Sequence, residues 1–187
     1  MNRDTFRAMQ TPVKQLYAAR PERAAVVLQA EGEVDLEHIG CRVRLLINDG
    51  HDILAGLHPA AGGDGLAACS GELLLQALIT CAGTTLAAVA KALGLKLRSA
   101  TVKATGRMDF RGTLGIDRSV PTGISEIRLT CHVDGEIPED SGRKLLELTE
   151  RCCVVLQTLK SGVEVRSDLS ISMHSSQDTS LSNSAAD

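Results

Sequence analysis

The chain has 187 residues, of which 43% are hydrophobic and 23% are charged. This length and balance predict one globular domain and exclude a largely disordered or collagen-like chain. Lys and Arg number 20 against 23 Asp and Glu, and aromatic residues make up 2%. Nucleic-acid binding needs clustered positive charge or several stacking rings, so we expect no nucleic-acid partner.

The two ends of the chain differ in composition from its middle. Residues 1–22 carry mixed charge and two prolines, which predicts an N-terminal arm, and residues 175–187 are small, polar and aperiodic, which predicts a disordered tail. The domain is therefore expected over residues 23–174. Because no apolar leader follows the first residues, the six cysteines are interpreted as thiols of the reducing cytoplasm.

Several segments between these ends alternate apolar and polar residues, as strands with one buried face require. Residues 41–47 alternate in this way and precede the turn signal Asn48-Asp49-Gly50, so residues 51–57 are expected to return as the second strand of a hairpin. Further strands are predicted over residues 101–110, 127–133 and 163–173.

Two segments have helical character. The first runs from about Gly71 to Leu93, with Ser70 as the expected N-cap and Gly94 at its end, and the second runs over residues 141–160. Strands lie before, between and after these helices without strict alternation. This order predicts an α+β fold with a largely antiparallel sheet.

The first helix could alternatively span a membrane, because residues 73–90 contain no charged side chain. Glu72 and Lys91 bound this segment, and Gln76 and three threonines dilute its hydrophobicity. The chain shows neither a second span nor a belt of aromatic residues. We therefore interpret the segment as a buried helix and expect no membrane partner.

Among the residues that could carry a reaction, the cysteine thiols are the candidates that remain. Gly63-Asp64-Gly65-Leu66-Ala67-Ala68 matches only a loose dinucleotide motif, the cysteines show no C-x-x-C spacing, and the histidines are scattered. No cofactor and no metal are therefore expected. Cys81 lies midway along the first helix and Cys153 in the second, so packing of the two helices could bring the thiols into disulfide range. The alternative is that both are small buried core residues, as free cysteines most often are.

The segment from Ser70 to Cys81 (SGELLLQALITC) and the segment from Cys153 to Leu159 (CVVLQTL) resemble the two cysteine segments of the OsmC/Ohr family of osmotically induced and organic-hydroperoxide-resistance proteins. The resemblance spans about residues 24–172. It implies an OsmC-like fold in which sheets wrap two central helices of an intertwined homodimer. It also implies that Cys81 attacks an organic hydroperoxide, that Cys153 resolves the sulfenic acid to a disulfide, and that a dithiol or lipoylated protein reduces it.

The resemblance also implies an arginine and a glutamate that activate the attacking thiol. Arg42 and Arg44 are the candidates for the arginine, and Glu72 is the candidate for the glutamate, although Gly71 occupies the position of the family's glutamate. The first helix's own dipole acts only on its end turns and is expected to affect Cys81 little. A further departure is Val154, which stands where many members carry proline.

Two questions stay open at this level. Helical periodicity places Cys152 on the apolar stripe, whereas the family pattern selects Cys153 as the partner of Cys81; we follow the pattern. The alternatives to a peroxidase are a non-catalytic dimeric scaffold or binder of apolar ligands, and a thiol redox sensor.

Overall fold

The computed structural model describes residues 1–44 and 52–172. These residues contain five α-helices, five β-strands and two 3-10 helices, Pro21–Ala24 and Pro59–Ala61. In chain order the α-helices and β-strands are α1 (Arg3–Ala19), β1 (Gly32–Asp35), β2 (Gly40–Val43), β3 (Ile53–Ala55), α2 (Ser70–Leu93), β4 (Leu97–Met108), α3 (Phe110–Thr113), β5 (Ile124–Gly135), α4 (Glu139–Cys152) and α5 (Val154–Ser161).

The strands form two separate antiparallel sheets. The first has the order β1-β2-β3, and Cys41 in β2 lies opposite Val34 and Ala55. The second pairs β4 with β5 along almost their whole length. The predicted α+β class is confirmed, as is the pairing of residues 41–43 with the segment that follows them; the expected turn at 48–50 lies outside the described residues.

Local capping interactions explain where helix α2 begins and ends. Cys69 is the N-cap, and the Glu72 carboxylate accepts a hydrogen bond from the Cys69 N–H at 2.9 Å. Gly94 ends the helix in the left-handed region, at φ 75°, where a residue without a Cβ is favoured. The expected end at Gly94 is thus confirmed, whereas the expected N-cap, Ser70, is the first residue of the helix.

The core is built along one stripe of α2. Leu78, Ala82, Leu86 and Ala90 recur every four residues, and all four are buried. Leu78 and Ala82 pack with Cys153, while Leu86 and Ala90 pack with Leu145 of α4. Apolar residues of β4 and β5 cover both groups. This stripe fixes the position of Cys81, which is the neighbour of Ala82.

The mean hydropathy of α2 reaches 1.8, which makes it the one helix of the described residues long and apolar enough to cross a membrane. Core helices pass the same test, and α2 packs against β4, α4 and α5. A single helix of this kind is weak support for a membrane protein.

Three segments differ from expectation. The predicted arm contains a helix, α1, whose N-cap Asn2 accepts the Thr5 N–H at 2.8 Å. The predicted single helix over 141–160 is wrong, because α4 ends at Cys152 and α5 begins at Val154. The strand predicted over 163–173 is wrong for the described residues 163–172, which are exposed and have no neighbouring strand to supply hydrogen bonds. The domain limits at 22 and 174 stay predictions, and the tail 175–187 lies outside the described residues.

Candidate functional site

Cys81 lies in the middle of α2, beside the buried stripe. Its side chain is partly buried and packs against the cluster formed by Leu78, Ala82 and Cys153. The same cluster is packed from β4 and β5 by Val102, Ala104, Ile127 and Leu129. Cys81 therefore lies at the edge of an apolar cluster.

The break between α4 and α5 brings the second thiol to this place. Cys153 is at once the C-cap of α4 and the N-cap of α5, with φ −75° and ψ 107°, outside the helical region. Its N–H still donates to the Thr149 carbonyl at 2.9 Å, and its own carbonyl accepts the first bond of α5 from the Gln157 N–H at 2.9 Å. Cys153 is fully buried, and its thiol interacts with the thiol of Cys81.

The start of α5 points at Cys81. The first N–H groups of a helix have no partner within the helix, and here those of Val154 and Val155 interact with the Cys81 thiol. Donors of this kind stabilise a thiolate. The backbone donors that act on Cys81 thus belong to a different helix from its own, and the expectation about the dipole of the first helix stays a prediction.

The pKa values of the two thiols are shifted in opposite directions. Burial raises the pKa of Cys81, but the Val155 N–H, the Cys153 thiol, the Val154 N–H and the Thr85 hydroxyl lower it, so that its pKa lies below that of an ordinary thiol. Burial raises the pKa of Cys153, and its interaction with Cys81 adds to the increase. Cys81 therefore ionises first and is the better nucleophile of the pair near neutral pH.

The remaining cysteines lie elsewhere. Cys152, the last residue of α4, is exposed, whereas Cys153 is buried against Cys81, as the family pattern indicates and the helical periodicity does not. Cys131 of β5 packs with Leu86 and Leu145, and burial raises the pKa of its thiol. Cys69 caps α2, and Cys41 lies in β2.

Arg42 lies in β2 of the first sheet, and Arg44 follows directly after that strand. Arg42 pairs with Asp52 at 3.3 Å, and Arg44 lies 4.0 Å from the same carboxylate. Both line an open cleft together with residues 28–33. The principal groups that act on the Cys81 thiol do not include an arginine. Within one chain, the structure does not bring either arginine to the thiol pair.

Glu72 is engaged at the start of α2. Its carboxylate caps the Cys69 N–H, and Cys81 lies nine positions further along the helix, which corresponds to about 13 Å along the axis. Its contact is that of a first-turn helix cap. The structure therefore brings Cys81 and Cys153 together and leaves Glu72 apart from them.

The N–H donors suggest a substitution at Val154. Proline is well tolerated at the first position of a helix, and the extended backbone of Cys153 suits a residue that precedes proline. We expect Val154→Pro to keep the fold but to raise the pKa of Cys81, because one N–H donor is lost. The rate of Cys81 alkylation against pH measures this, with Val154→Ala, which keeps the N–H at the same exposed position, as the control. An unchanged pKa would show that the Val154 N–H has no influence on the thiol.

Within residues 1–44 and 52–172, no group of three His, Cys, Asp or Glu side chains could hold a metal ion. The functional groups that the sequence did not indicate are the Val154 and Val155 N–H groups and the Thr85 hydroxyl. Thr85 follows Cys81 by four residues, a spacing that could have singled it out. Nothing in the sequence marks the helix break at Cys153, so the N–H groups could not be predicted.

Solved structures with the same fold include an OsmC-like protein from Mycoplasma pneumoniae, which is 18% identical with a TM-score of 0.59 and covers 73% of this chain and 89% of that chain. Organic hydroperoxide resistance proteins from Legionella pneumophila and Elizabethkingia anophelis are 12% and 16% identical, each with a TM-score of 0.57. They cover 76% and 74% of this chain, and 96% and 93% of their own chains. At such identities the likeness establishes the fold alone.

Among curated proteins, none matches the chain in sequence. The family described as OsmC-like protein matches residues 62–168, which include α2, both strands of the second sheet and both cysteines of the thiol pair. Because this match covers more than half of the chain, the protein belongs to the OsmC-like family.

Proposed function

We propose that the protein is a thiol peroxidase that reduces organic hydroperoxides. The observation that carries the proposal is the contact between the Cys81 thiol, the Cys153 thiol and the N–H groups at the start of α5. It joins a thiol of lowered pKa to a second, protonated thiol in one apolar site. Neighbours of the same fold include organic hydroperoxide resistance proteins.

The proposed reaction has three steps. The Cys81 thiolate attacks the terminal oxygen of the hydroperoxide, and the O–O bond breaks, so that Cys81 carries a sulfenic acid. The alkoxide takes a proton from water and leaves as an alcohol. The Cys153 thiol then displaces water to form the Cys81–Cys153 disulfide. A dithiol, free or in the form of a lipoyl group on a protein, reduces that disulfide and becomes a disulfide itself. Low-molecular-weight dithiols of the reducing cytoplasm suit this last step. We therefore propose that the protein is cytoplasmic.

The test is a disulfide map. Reduced protein is treated with cumene hydroperoxide, digested and analysed by mass spectrometry, with untreated protein as the control. We expect a linkage between the peptides of Cys81 and Cys153, and continued consumption of the peroxide when dithiothreitol is present. Absence of the linkage would reject the proposal. A linkage that forms without turnover would favour a redox sensor instead, and a lack of both would favour a scaffold or binder of apolar ligands.

We also propose that the protein is a homodimer. Two segments expose apolar side chains that a second copy would cover: Val26, Val27 and Leu28 before β1, and Val163, Val165, Leu169 and Ile171 after α5. Groups of exposed apolar side chains of this kind favour burial against a partner. We expect sedimentation at micromolar concentration to give twice the chain mass of 19.8 kDa. A particle of one chain mass would contradict the dimer.

A further inference from the structure

The interruption between α4 and α5 leaves a carbonyl of α4 without its helical partner. In a continuous helix the Glu150 carbonyl would accept the Val154 N–H, four residues later. Within the described residues, the backbone bonds at the interruption are those from Cys153 to Thr149 and from Gln157 to Cys153, both at 2.9 Å. The Glu150 carbonyl is thus the first of α4 that the backbone does not satisfy.

The side chain of Gln157 occupies this carbonyl. Its amide Nε2–H donates to the Glu150 carbonyl at 2.8 Å, in a partly buried position. The backbone N–H of the same residue donates to the Cys153 carbonyl. Gln157 therefore holds both sides of the interruption, the end of α4 through its amide and the start of α5 through its backbone. Because the Glu150 carbonyl already has a donor, it gains less from pairing with the Val154 N–H.

The interruption decides which of two neighbouring thiols faces α2. Cys153 has no exposed surface and belongs to the buried cluster on α2, whereas Cys152 is exposed. The buried and partly buried face of α4 includes Leu145, Leu148 and Thr149. If α4 continued at the helical period, this face would have Cys152 at its centre and Cys153 at its edge. Continuation of α4 would therefore expose the thiol that is now buried.

We propose that Gln157 is a positioning residue that keeps Cys153 against α2, by holding the Glu150 carbonyl and so preventing α4 from continuing through Cys153. The proposal rests on the proposed function only in taking Cys153 as the thiol that resolves the sulfenic acid of Cys81. Gln157 acts through the backbone and takes no part in the reaction of the sulfurs. A second link between the helices, the exposed ion pair of Lys160 and Glu150 at 3.4 Å, uses the Glu150 side chain and leaves its carbonyl free for Gln157.

The test measures the reactivity of individual thiols in Gln157→Met, which keeps the length of the side chain but has no N–H donor. Reduced native protein is treated with iodoacetamide, and mass spectrometry with fragmentation of the peptides gives the rate for each cysteine. We expect the ratio of the Cys153 rate to the Cys152 rate to rise about fivefold, which corresponds to the net free energy of one hydrogen bond. Cys131 of β5, which is partly buried, should react at an unchanged rate, because the variant does not loosen the whole core.

Two controls separate this role from a general effect on the two helices. Lys160→Met removes the ion pair to the Glu150 side chain and should leave the ratio unchanged. In a Val154→Pro background α4 cannot continue, because proline has no N–H to donate to the Glu150 carbonyl and its ring would clash with that carbonyl in a helix. Gln157→Met should therefore have no further effect on the ratio in that background.

If Gln157→Met does not fold, as judged by its melting temperature, Gln157→Glu, which has no amide donor, serves in its place with the same expected rise. The proposal is overturned if the variant without the donor keeps the ratio of the unchanged protein, or if Cys131 becomes more reactive to the same extent. It is also overturned if Lys160→Met raises the ratio equally, or if the rise persists in the Val154→Pro background. No peroxide is used, so an unchanged ratio would reject only the role of Gln157, whereas a missing disulfide in the peroxide experiment would reject only the peroxidase.

Discussion

Cys81→Ser is expected to reduce the consumption of cumene hydroperoxide to the rate of buffer without protein. A serine hydroxyl is not ionised near neutral pH, and the N–H groups of Val154 and Val155 stabilise only a charge that forms. The side chains have almost the same shape, so the fold should be retained. Peroxide loss is measured in the presence of excess dithiothreitol. Turnover that persists in Cys81→Ser would show that another thiol reacts.

Two further substitutions separate the roles of the neighbouring thiols. Without reductant, Cys153→Ser treated with peroxide should accumulate a Cys81 sulfenic acid that dimedone traps, because it has no internal partner, whereas the unchanged protein should form the disulfide. Cys152→Ser should retain full turnover, because its side chain is exposed and outside the thiol pair. A loss of turnover in Cys152→Ser equal to that in Cys153→Ser would contradict the assignment.

Leu78→Ala is expected to lower the free energy of unfolding by about 2–5 kcal/mol, the usual cost of truncating a fully buried leucine. Leu78 has no exposed surface and packs against Ala82 and Cys153, one turn before Cys81. The cavity would thus open at the base of the thiol pair. Urea unfolding at fixed protein concentration measures the change, because association also affects apparent stability.

Leu146→Ala is the matched control for this substitution. Leu146 lies in α4 with 46% of its surface exposed, so the same truncation removes far less buried area. We expect its cost to stay below about 1 kcal/mol. An equal loss of unfolding free energy in the two variants would show that the stripe of α2 is not the centre of the core.

Local signals in the sequence were sufficient to predict α2, its end at Gly94 and the hairpin of β2 and β3. Each depends on neighbouring residues: a glycine that adopts a positive φ, or a period of two along a strand. The resemblance to the family was needed to choose Cys153 over Cys152. Helical periodicity alone selected Cys152, because it assumed one continuous helix.

The features that could not be predicted depend on tertiary contacts. The break at Cys153 carries no proline or glycine, and apolar residues at helical spacing continue through it, so only packing against α2 shows where α4 ends. Residues 163–172 alternate like a strand, but alternation does not say which neighbour would supply the hydrogen bonds. Helix α1 was missed although Asn2 and Asp4 form an ordinary helix start.

The interruption at Cys153 also limits how the site can change during evolution. The second sulfur and the two N–H donors lie on consecutive residues, so they share one backbone geometry. A mutation that allowed α4 to continue through Cys153 would pair those N–H groups with carbonyls of the preceding turn. The resolving group and the activation of Cys81 would then be lost in a single event. Loss of the interruption would therefore remove both properties together, whereas substitution of the Cys153 side chain alone would remove only the second sulfur.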